Sequence, residues 1–560
     1  MAILYFFLAV VGGFIVFSAA AKISRNRKNR ANVRTRWGKP PERECTANDF
    51  ASIRCYYHNV GMEQKDFFID DITWNDLDMN RVFSKINNTQ TDIGEEYLYY
   101  LLRKPVHQLD KLLSRNAMME YFRNNAAERE KLQILLSELG KLRFLSISDY
   151  LSGKRKGFEK SGLLYKLLSA LFIVTPFIAA AFPPAVLLFM ASLVLNVTVY
   201  FKARDQIVGH LQSLGYIVNM IGISKRIAKL PYEAIAGYTG KLKSCSGKIK
   251  GTSLNNFFFM FYSTENYFLE LIKIFFLGEP IAYYSIFKII KKYRSELQTI
   301  YDVLGELDSL IAVASYRESV EYFTAPVLRA GYNTDKSIKF TDLYHPLIEE
   351  PVPNTFDTSK TVLITGSNAS GKSTFLKSVA INAIFAQTIY TCLAKEYNSC
   401  FFNIYSSMAL NDNLEARESY YIVEIKSLKR IIEGMNESIP CLCVIDEVLR
   451  GTNTIERIAA SSEIIHLISR SNCICLCATH DIELTQILGG NVENYHFQEF
   501  FDEEKISFDY KIYSGEATTR NAIKLLKYLG YDEDIVHNAE ARAQRFTENG
   551  QWSGIDGKQS

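Results

Sequence analysis

The 560 residues include ten cysteines but no Cys-x-x-Cys pair, so the usual frame of a zinc site or a dithiol redox centre is missing. Cys441 and Cys443, and likewise Cys473, Cys475 and Cys477, alternate with apolar residues. Alternate residues of a strand share a face, so these thiols read as small buried hydrophobes in a reducing, cytosolic setting. No internal repeat and no long low-complexity tract occurs, which excludes a solenoid or a largely disordered chain. The net charge is only +3, too small for a globally basic nucleic-acid binder. Acidic residues are absent from positions 22–39, which carry Lys22, Arg25, Arg27, Lys28, Arg30, Arg34, Arg36 and Lys39. That local patch suits anionic lipid headgroups, with nucleic acid as the other reading.

What is present is apolar. Residues 2–21 are uncharged and long enough to span a bilayer. Positive charge follows them rather than precedes them, which is the reverse of a cleaved signal peptide. The positive-inside rule then predicts an uncleaved anchor over 1–21, N-terminus outside. Residues 163–202 form a second apolar region, split at Pro183-Pro184 into two near-spanning pieces with basic residues at both ends. This reads as a membrane hairpin turning outside, or alternatively as the buried hairpin of a soluble helical domain. In the membrane reading the chain spans the cell membrane three times and its bulk lies in the cytoplasm. The aromatic stretch 254–291 is interrupted by Glu265, Glu270, Lys273, Glu279 and Lys288 and reads as soluble core helices.

The remaining organisation is a basic juxtamembrane segment over 22–66, helical parts over 67–162 and 203–335, an α/β domain over 336–546 and a loose Gly- and Ser-rich tail over 547–560. In the α/β part, short β-branched runs alternate with helices, the pattern of a mostly parallel sheet. Val362–Thr365, Cys441–Ile445 and Cys473–Ala478 are its clearest strands.

Chemistry gathers at the ends of those strands. Gly366-x-x-x-x-Gly371-Lys372-Ser373 follows the first and opens an apolar helix, which is the layout of a phosphate-cradling P-loop. Gly366, Asn368, Gly371, Lys372, Ser373 and Thr374 are the candidate ATP-binding residues, with Lys372 reaching the β- and γ-phosphates. Ser373 and Asp446 are the candidate Mg²⁺ ligands. Cys441-Leu442-Cys443-Val444-Ile445-Asp446-Glu447 ends the second strand in two carboxylates, and Glu447 can polarise the attacking water. Thr479-His480-Asp481 ends the third; His480 is either a γ-phosphate sensor or a satisfied structural histidine. Ser419 stands before an amphipathic run, where a hydroxyl either meets an anion or simply caps a helix.

This order of motifs, with Asp446-Glu447-Val448-Leu449-Arg450-Gly451-Thr452 and Thr479-His480-Asp481-Ile482-Glu483-Leu484, resembles the MutS family of mismatch-repair ATPases. Tyr344-His345-Pro346 resembles the entry to that family's ATPase domain. Asn87-Asn88-Thr89-Gln90-Thr91-Asp92-Ile93-Gly94 resembles the start of its helical core. The resemblance implies an ABC-like, MutS-type P-loop NTPase domain preceded by an all-α core. It implies ATP hydrolysis with Mg²⁺ in a homodimer, with Ser419 acting in trans on the partner's ATP, and DNA held by the helical part. Glu447, His480 and Lys372 become the catalytic set, and His496 a nucleotide-proximal position.

The chain departs from the pattern at Ser367 and Ala369, where the family shows Pro and Met, and at Arg417-Glu418, where it shows Gly-Arg. The mismatch-reading N-terminal domain is expected to be missing. Its Phe-x-Glu wedge has one counterpart ahead of the ATPase motifs, Phe268-Leu269-Glu270, inside an apolar helical run where it reads as core packing. Two functions follow: a membrane-anchored ATPase that binds or clamps DNA, or a nucleotide switch that organises membrane or protein partners without DNA. A transport ATPase is disfavoured, since its Leu-Ser-Gly-Gly type signature is missing and no apolar span carries a central charge.

Overall fold

The computed structural model describes residues 27–60, 66–142, 146–154, 162–249, 267–329, 336–367, 370–408, 420–502, 505–516, 522–550 and 552. The anchor expected over 1–21 lies outside them, as do Lys22, Arg25, Asn368, Ala369, Arg417, Glu418 and Ser419. The described residues fall into two compact units. The first draws on Met1–Phe68, Asn80–Lys104 and Lys111–Glu321, the second on Ile69–Met79, Pro105–Asp110 and Tyr322–Ser560. Two short segments of the expected helical part, 69–79 and 105–110, therefore fold with the α/β unit.

The first unit is helical. Helix α1 (Asp92–Arg103) is capped by Thr91, whose hydroxyl accepts from the Gly94 amide at 2.8 Å. Helices α2 (Leu109–Asn124) and α3 (Ala126–Ser137) follow. Helix α4 (Gly162–Ala181) and helix α5 (Val186–Ile227) are joined through Pro183–Ala185. Both are long and apolar enough to cross a membrane by length and composition. Many apolar side chains of α4 and of the first half of α5 are bare: Leu163 and Phe177 are 74% exposed and Leu187 is 78% exposed. The second helix does not stop at Lys202. It runs 42 residues, so the hairpin's second arm and the start of the helical part expected from 203 are one rod. Helix α6 (Ala236–Lys248), α7 (Tyr267–Phe275) and α8 (Gly278–Lys292) precede α9 (Arg294–Ser319), a 26-residue helix buried over most of its length. The Phe268-Leu269-Glu270 run lies in α7, though the side chains of 267–269 are outside the described set.

A buried carboxylate ties this unit together. Asp308 of α9 accepts from the Gln90 amide at 3.0 Å, the Thr91 amide at 2.9 Å and the Thr91 hydroxyl at 2.7 Å. It thus satisfies the entry to α1, in the segment that resembles the family's helical core.

The second unit is α/β with two sheets. Strands β1 (Val327–Arg329), β2 (Ile338–Leu343), β3 (Asn354–Thr358) and β5 (Glu396–Cys400) make a four-stranded sheet in the order β1-β5-β2-β3. The larger sheet contains β4 (Val362–Thr365), β6 (Asn403–Ser407), β7 (Cys441–Asp446), β8 (Cys473–Ala478), β9 (Glu493–Asp502) and β10 (Lys505–Ser514), in the order β10-β9-β4-β8-β7-β6. All its pairs are parallel except β9 with β10. The three strands read most clearly from the sequence, β4, β7 and β8, form the centre of this sheet and are buried on both faces. Near-continuous apolar runs are what such burial requires. The alternating cysteines fill this core as free thiols, with Cys443 Sγ 3.4 Å from Cys473 Sγ. Helices α10 (Lys372–Thr388), α11 (Tyr420–Gly434) and α12 (Thr454–Arg470) cover the sheet.

Candidate active site

Parallel order places the carboxyl ends of β4, β7 and β8 side by side, where open α/β sheets form their ligand crevices. At the end of β4 the chain must turn at once into α10. Gly366 does this at φ +138°, and a Cβ there would meet the Phe497 carbonyl oxygen at 2.6 Å. Gly371 closes the turn at φ +106° and caps α10. Both glycines predicted from the phosphate-loop spacing are therefore required by backbone geometry.

Lys372 is the first residue of α10, and its side chain folds back under the loop. Its Nζ donates to the Gly366 carbonyl at 2.7 Å and the Ser367 carbonyl at 2.6 Å. Burial lowers its pKa to about 8, against the opposing pull of Asp446, Glu447 and Glu499. Ser373 Oγ donates to Asp446 Oδ2 at 2.5 Å, so the two candidate Mg²⁺ ligands share one spot. A hydroxyl and a carboxylate are the hard oxygen donors that this ion prefers. Thr374 lines the same cavity, of about 540 Å³, together with Lys372, Ser373, Asp446, Glu447 and His480.

Glu447 sits just beyond β7 with φ +65°, a conformation that non-glycine residues seldom adopt. Its amide donates to the Ala478 carbonyl at 2.9 Å, which pins it to the end of β8. The carboxylate is gripped from two sides. Arg450 Nε lies 2.6 Å from Oε2, and His480 Nε2 lies 3.2 Å from Oε1. Burial first, then the Lys372 charge, lowers the His480 pKa. The ring is therefore neutral at pH 7, and against an acceptor-only carboxylate Nε2 carries the proton.

Besides Arg450, three contributors were not predicted as site residues. Glu424 of α11 accepts from the Arg450 amide at 3.1 Å and holds the loop after Glu447 from below. Arg457 of α12 grips Asp481 with two bonds, of 2.9 and 2.6 Å, and so fixes the segment bearing His480. Glu499 of β9 accepts a bond from the Ser367 hydroxyl. Asp481 lies inside the Thr479–Leu484 string and Glu424 in the amphipathic run after Ser419; nothing local marks Arg457 or Glu499. His496 instead faces away, its Nδ1 donating to the Gly515 carbonyl at 3.0 Å, and it does not line the cavity. Asn368 and Ser419 lie outside the described residues, and α11 begins immediately after Ser419 at Tyr420.

Residues 362–547 match the family described as MutS domain V. The chain is 27% identical over 259 residues to the DNA mismatch repair protein MutS of Thermus thermophilus, covering 45% of this chain and 30% of that protein. It is 29% identical over 264 residues to the DNA mismatch repair protein MutS of Leptospira interrogans, covering 44% of this chain and 30% of that one. The match thus spans about a third of the length of either relative.

Proposed function

We propose, from the match of residues 362–547 to MutS domain V, that the chain is a membrane-anchored, Mg²⁺-dependent ATPase that works as a homodimer and couples nucleotide state to DNA held near the membrane. The observation that carries the ATPase reading is the convergence of Lys372, Ser373, Asp446, Glu447 and His480 on one cavity at the strand ends.

The chemistry follows from those positions. The Lys372 ammonium exchanges its two loop carbonyls for the β- and γ-phosphate oxygens. Ser373 and Asp446 would hold Mg²⁺, which when bound neutralises phosphate charge. Glu447 takes a proton from water as the water oxygen bonds to the γ-phosphorus. The bond from that phosphorus to the bridging oxygen breaks, and its electron pair leaves with ADP. His480 and Arg450 hold the Glu447 carboxylate in place during this step. Ser419 completes the partner's site in trans. Mixing Lys372→Ala with Ser419→Ala chains should restore about one working site per mixed dimer. No recovered hydrolysis in verified mixed dimers would remove the trans role.

Membrane attachment rests on the bare apolar surface of α4 and the first half of α5, with the basic stretch 22–39 on the cytoplasmic side. The ATPase unit is then cytoplasmic. A second reading, a nucleotide switch for membrane or protein partners, is favoured by where that hairpin lies. It occupies the middle of the helical unit, from which the family's DNA-holding elements would be built. Salt decides between them: phosphate-mediated DNA binding weakens steeply between low and physiological salt. No salt-sensitive DNA affinity with ATP, ADP or neither would leave the switch.

A further inference from the structure

One side of the mostly apolar first half of α5 carries a polar stripe at helical spacing, Ser192, Asn196, Tyr200 and Arg204. Ser192, Asn196 and Tyr200 are at most 4% exposed. Their partners show what covers them. Ser192 Oγ lies 3.3 Å from Thr175 Oγ1 of α4. The rest of the stripe is covered by α7 and α8. Asn196 Nδ2 donates to the Phe275 carbonyl at 2.8 Å, the end of α7. Tyr200 donates to Glu279 Oε2 of α8 at 2.8 Å, and Arg204 Nε lies 3.7 Å from the same oxygen.

The contacts also fix depth. Tyr165, near the start of α4, stacks on Tyr284 of α8 at 5.5 Å. Phe172, ten residues into α4, packs on Phe276 at 5.4 Å and on Phe275 at 5.9 Å. At a helical rise of 1.5 Å per residue, Phe172 stands about 15 Å from the start of α4 and Asn196 about 9 Å from Lys202, while Leu277 is buried with Tyr165, Tyr200 and Ala203 nearer the inner ends of the arms, so the turn lies within the inner half of a bilayer core. The chain reverses there: Leu277 adopts φ +50°, and α8 leads back toward Tyr284.

We propose that α7 and α8 form a re-entrant element that enters the inner half of the bilayer beside the hairpin, turns at 276–278 before the midplane, and exposes its outer face to lipid acyl chains. This rests on the membrane reading of the hairpin. Irregular backbone at that depth is tolerated because Asn196 satisfies the Phe275 carbonyl and the turn is packed on protein. The charges of the segment do not oppose it. Lys273 and Glu279 are 3% and 4% exposed; Lys273 Nζ lies 2.8 Å from Oε1 of the part-exposed Glu270 and 3.9 Å from Glu279, which Arg204 and Tyr200 also approach. Leu271, by contrast, is 48% exposed and points away from the cluster.

The test uses the full chain in vesicles of phosphatidylethanolamine and phosphatidylglycerol, with Cys45, Cys55 and Cys245 replaced by Ser. Single cysteines are placed at Leu271, at Leu171 in the hairpin and at the exposed Lys292. A charged maleimide is supplied to both faces. Leu271→Cys and Leu171→Cys should each label at least about tenfold more slowly than Lys292→Cys, and all three should label alike in SDS. Leu271 is half-exposed in the protein itself, so lipid is what shields it. Labelling of Leu271→Cys as fast as Lys292→Cys, with Leu171→Cys still protected, overturns the re-entrant element and leaves the hairpin intact. Fast labelling of Leu171→Cys as well removes the membrane hairpin, and this inference with it.

Discussion

His480 Nε2 stands 3.2 Å from Glu447 Oε1 while Arg450 Nε stands 2.6 Å from the opposite oxygen, so one carboxylate is held between a neutral ring and a permanent cation. In the proposed hydrolysis, a carboxylate held in this way is in position to act as general base before water arrives.

Glu447→Ala removes the proton acceptor but leaves Lys372, Ser373 and Asp446 untouched. ATP hydrolysis should fall about 10²- to 10⁴-fold. Nucleotide affinity, read by fluorescence of a labelled analogue, should change less than about threefold, since the phosphate contacts are retained. Lys372→Ala should do the opposite first, weakening binding before any effect on turnover can be read. A near-normal rate in Glu447→Ala would assign the base elsewhere.

The Lys372 pKa of about 8 predicts a pH effect on binding. Burial brings it down from the ordinary 10.5 because it disfavours the charged form. Phosphate binding requires the ammonium. In the free protein that charge is present below pH 8 and lost above it. The apparent Kd for ATP should be flat from pH 6.5 to 7.5 and rise about tenfold per unit above about pH 8, with proton uptake on binding in calorimetry. A constant Kd from pH 7 to 9.5 would show that the ammonium is not the phosphate contact.

The glycine turn at Gly366 and Gly371, the two carboxylates at the end of β7 and the central strands are legible because their signals are local. A turn that needs positive φ demands glycine, and a strand buried on both faces demands an unbroken apolar run. Other features depend on residues far apart. Asp308 lies 217 residues from the Thr91 that it clamps, and Glu499 lies 132 residues from Ser367. No spacing rule reaches that far. The union of the hairpin arm with the following helix was hidden by Lys202 and Arg204, which read as a boundary although helices accept charge readily. Burial of Glu279 and Lys273 beside α5 was hidden for the same reason, since charges in an aromatic run point to water until a partner is seen.

Gly366→Ala tests the turn itself. The added Cβ would meet the Phe497 carbonyl oxygen at 2.6 Å in a backbone conformation that alanine disfavours. The variant should lose about 1–3 kcal/mol of stability by denaturant titration in mild detergent, and nucleotide affinity with it. Gly490→Ala, where a Cβ meets nothing within 4 Å, should be near neutral. Equal stability of the two variants would mean that the loop is free to relax.

Asp308 gives the helical unit a pH signature. Burial raises its pKa to about 6 from the ordinary 3.8, although the Gln90 and Thr91 donors pull it down. With the folded value above the unfolded one, the native state binds more protons between them. This group's stabilising share is therefore whole below about pH 4 and lost as pH rises through about 6. Asp308→Ala strands two amides and a hydroxyl and should cost more than about 2 kcal/mol at pH 7. Asp308→Asn keeps an acceptor without the charge. It should cost less than the alanine variant, and its stability should lack the wild-type decline between pH 4 and 6. Denaturation midpoints for the three proteins at pH 4.5, 6 and 7.5 separate these outcomes. A wild-type slope preserved in Asp308→Asn would assign the titration to another buried carboxyl, of which Glu96, fully buried and also raised well above its ordinary value by burial, is the nearest in kind.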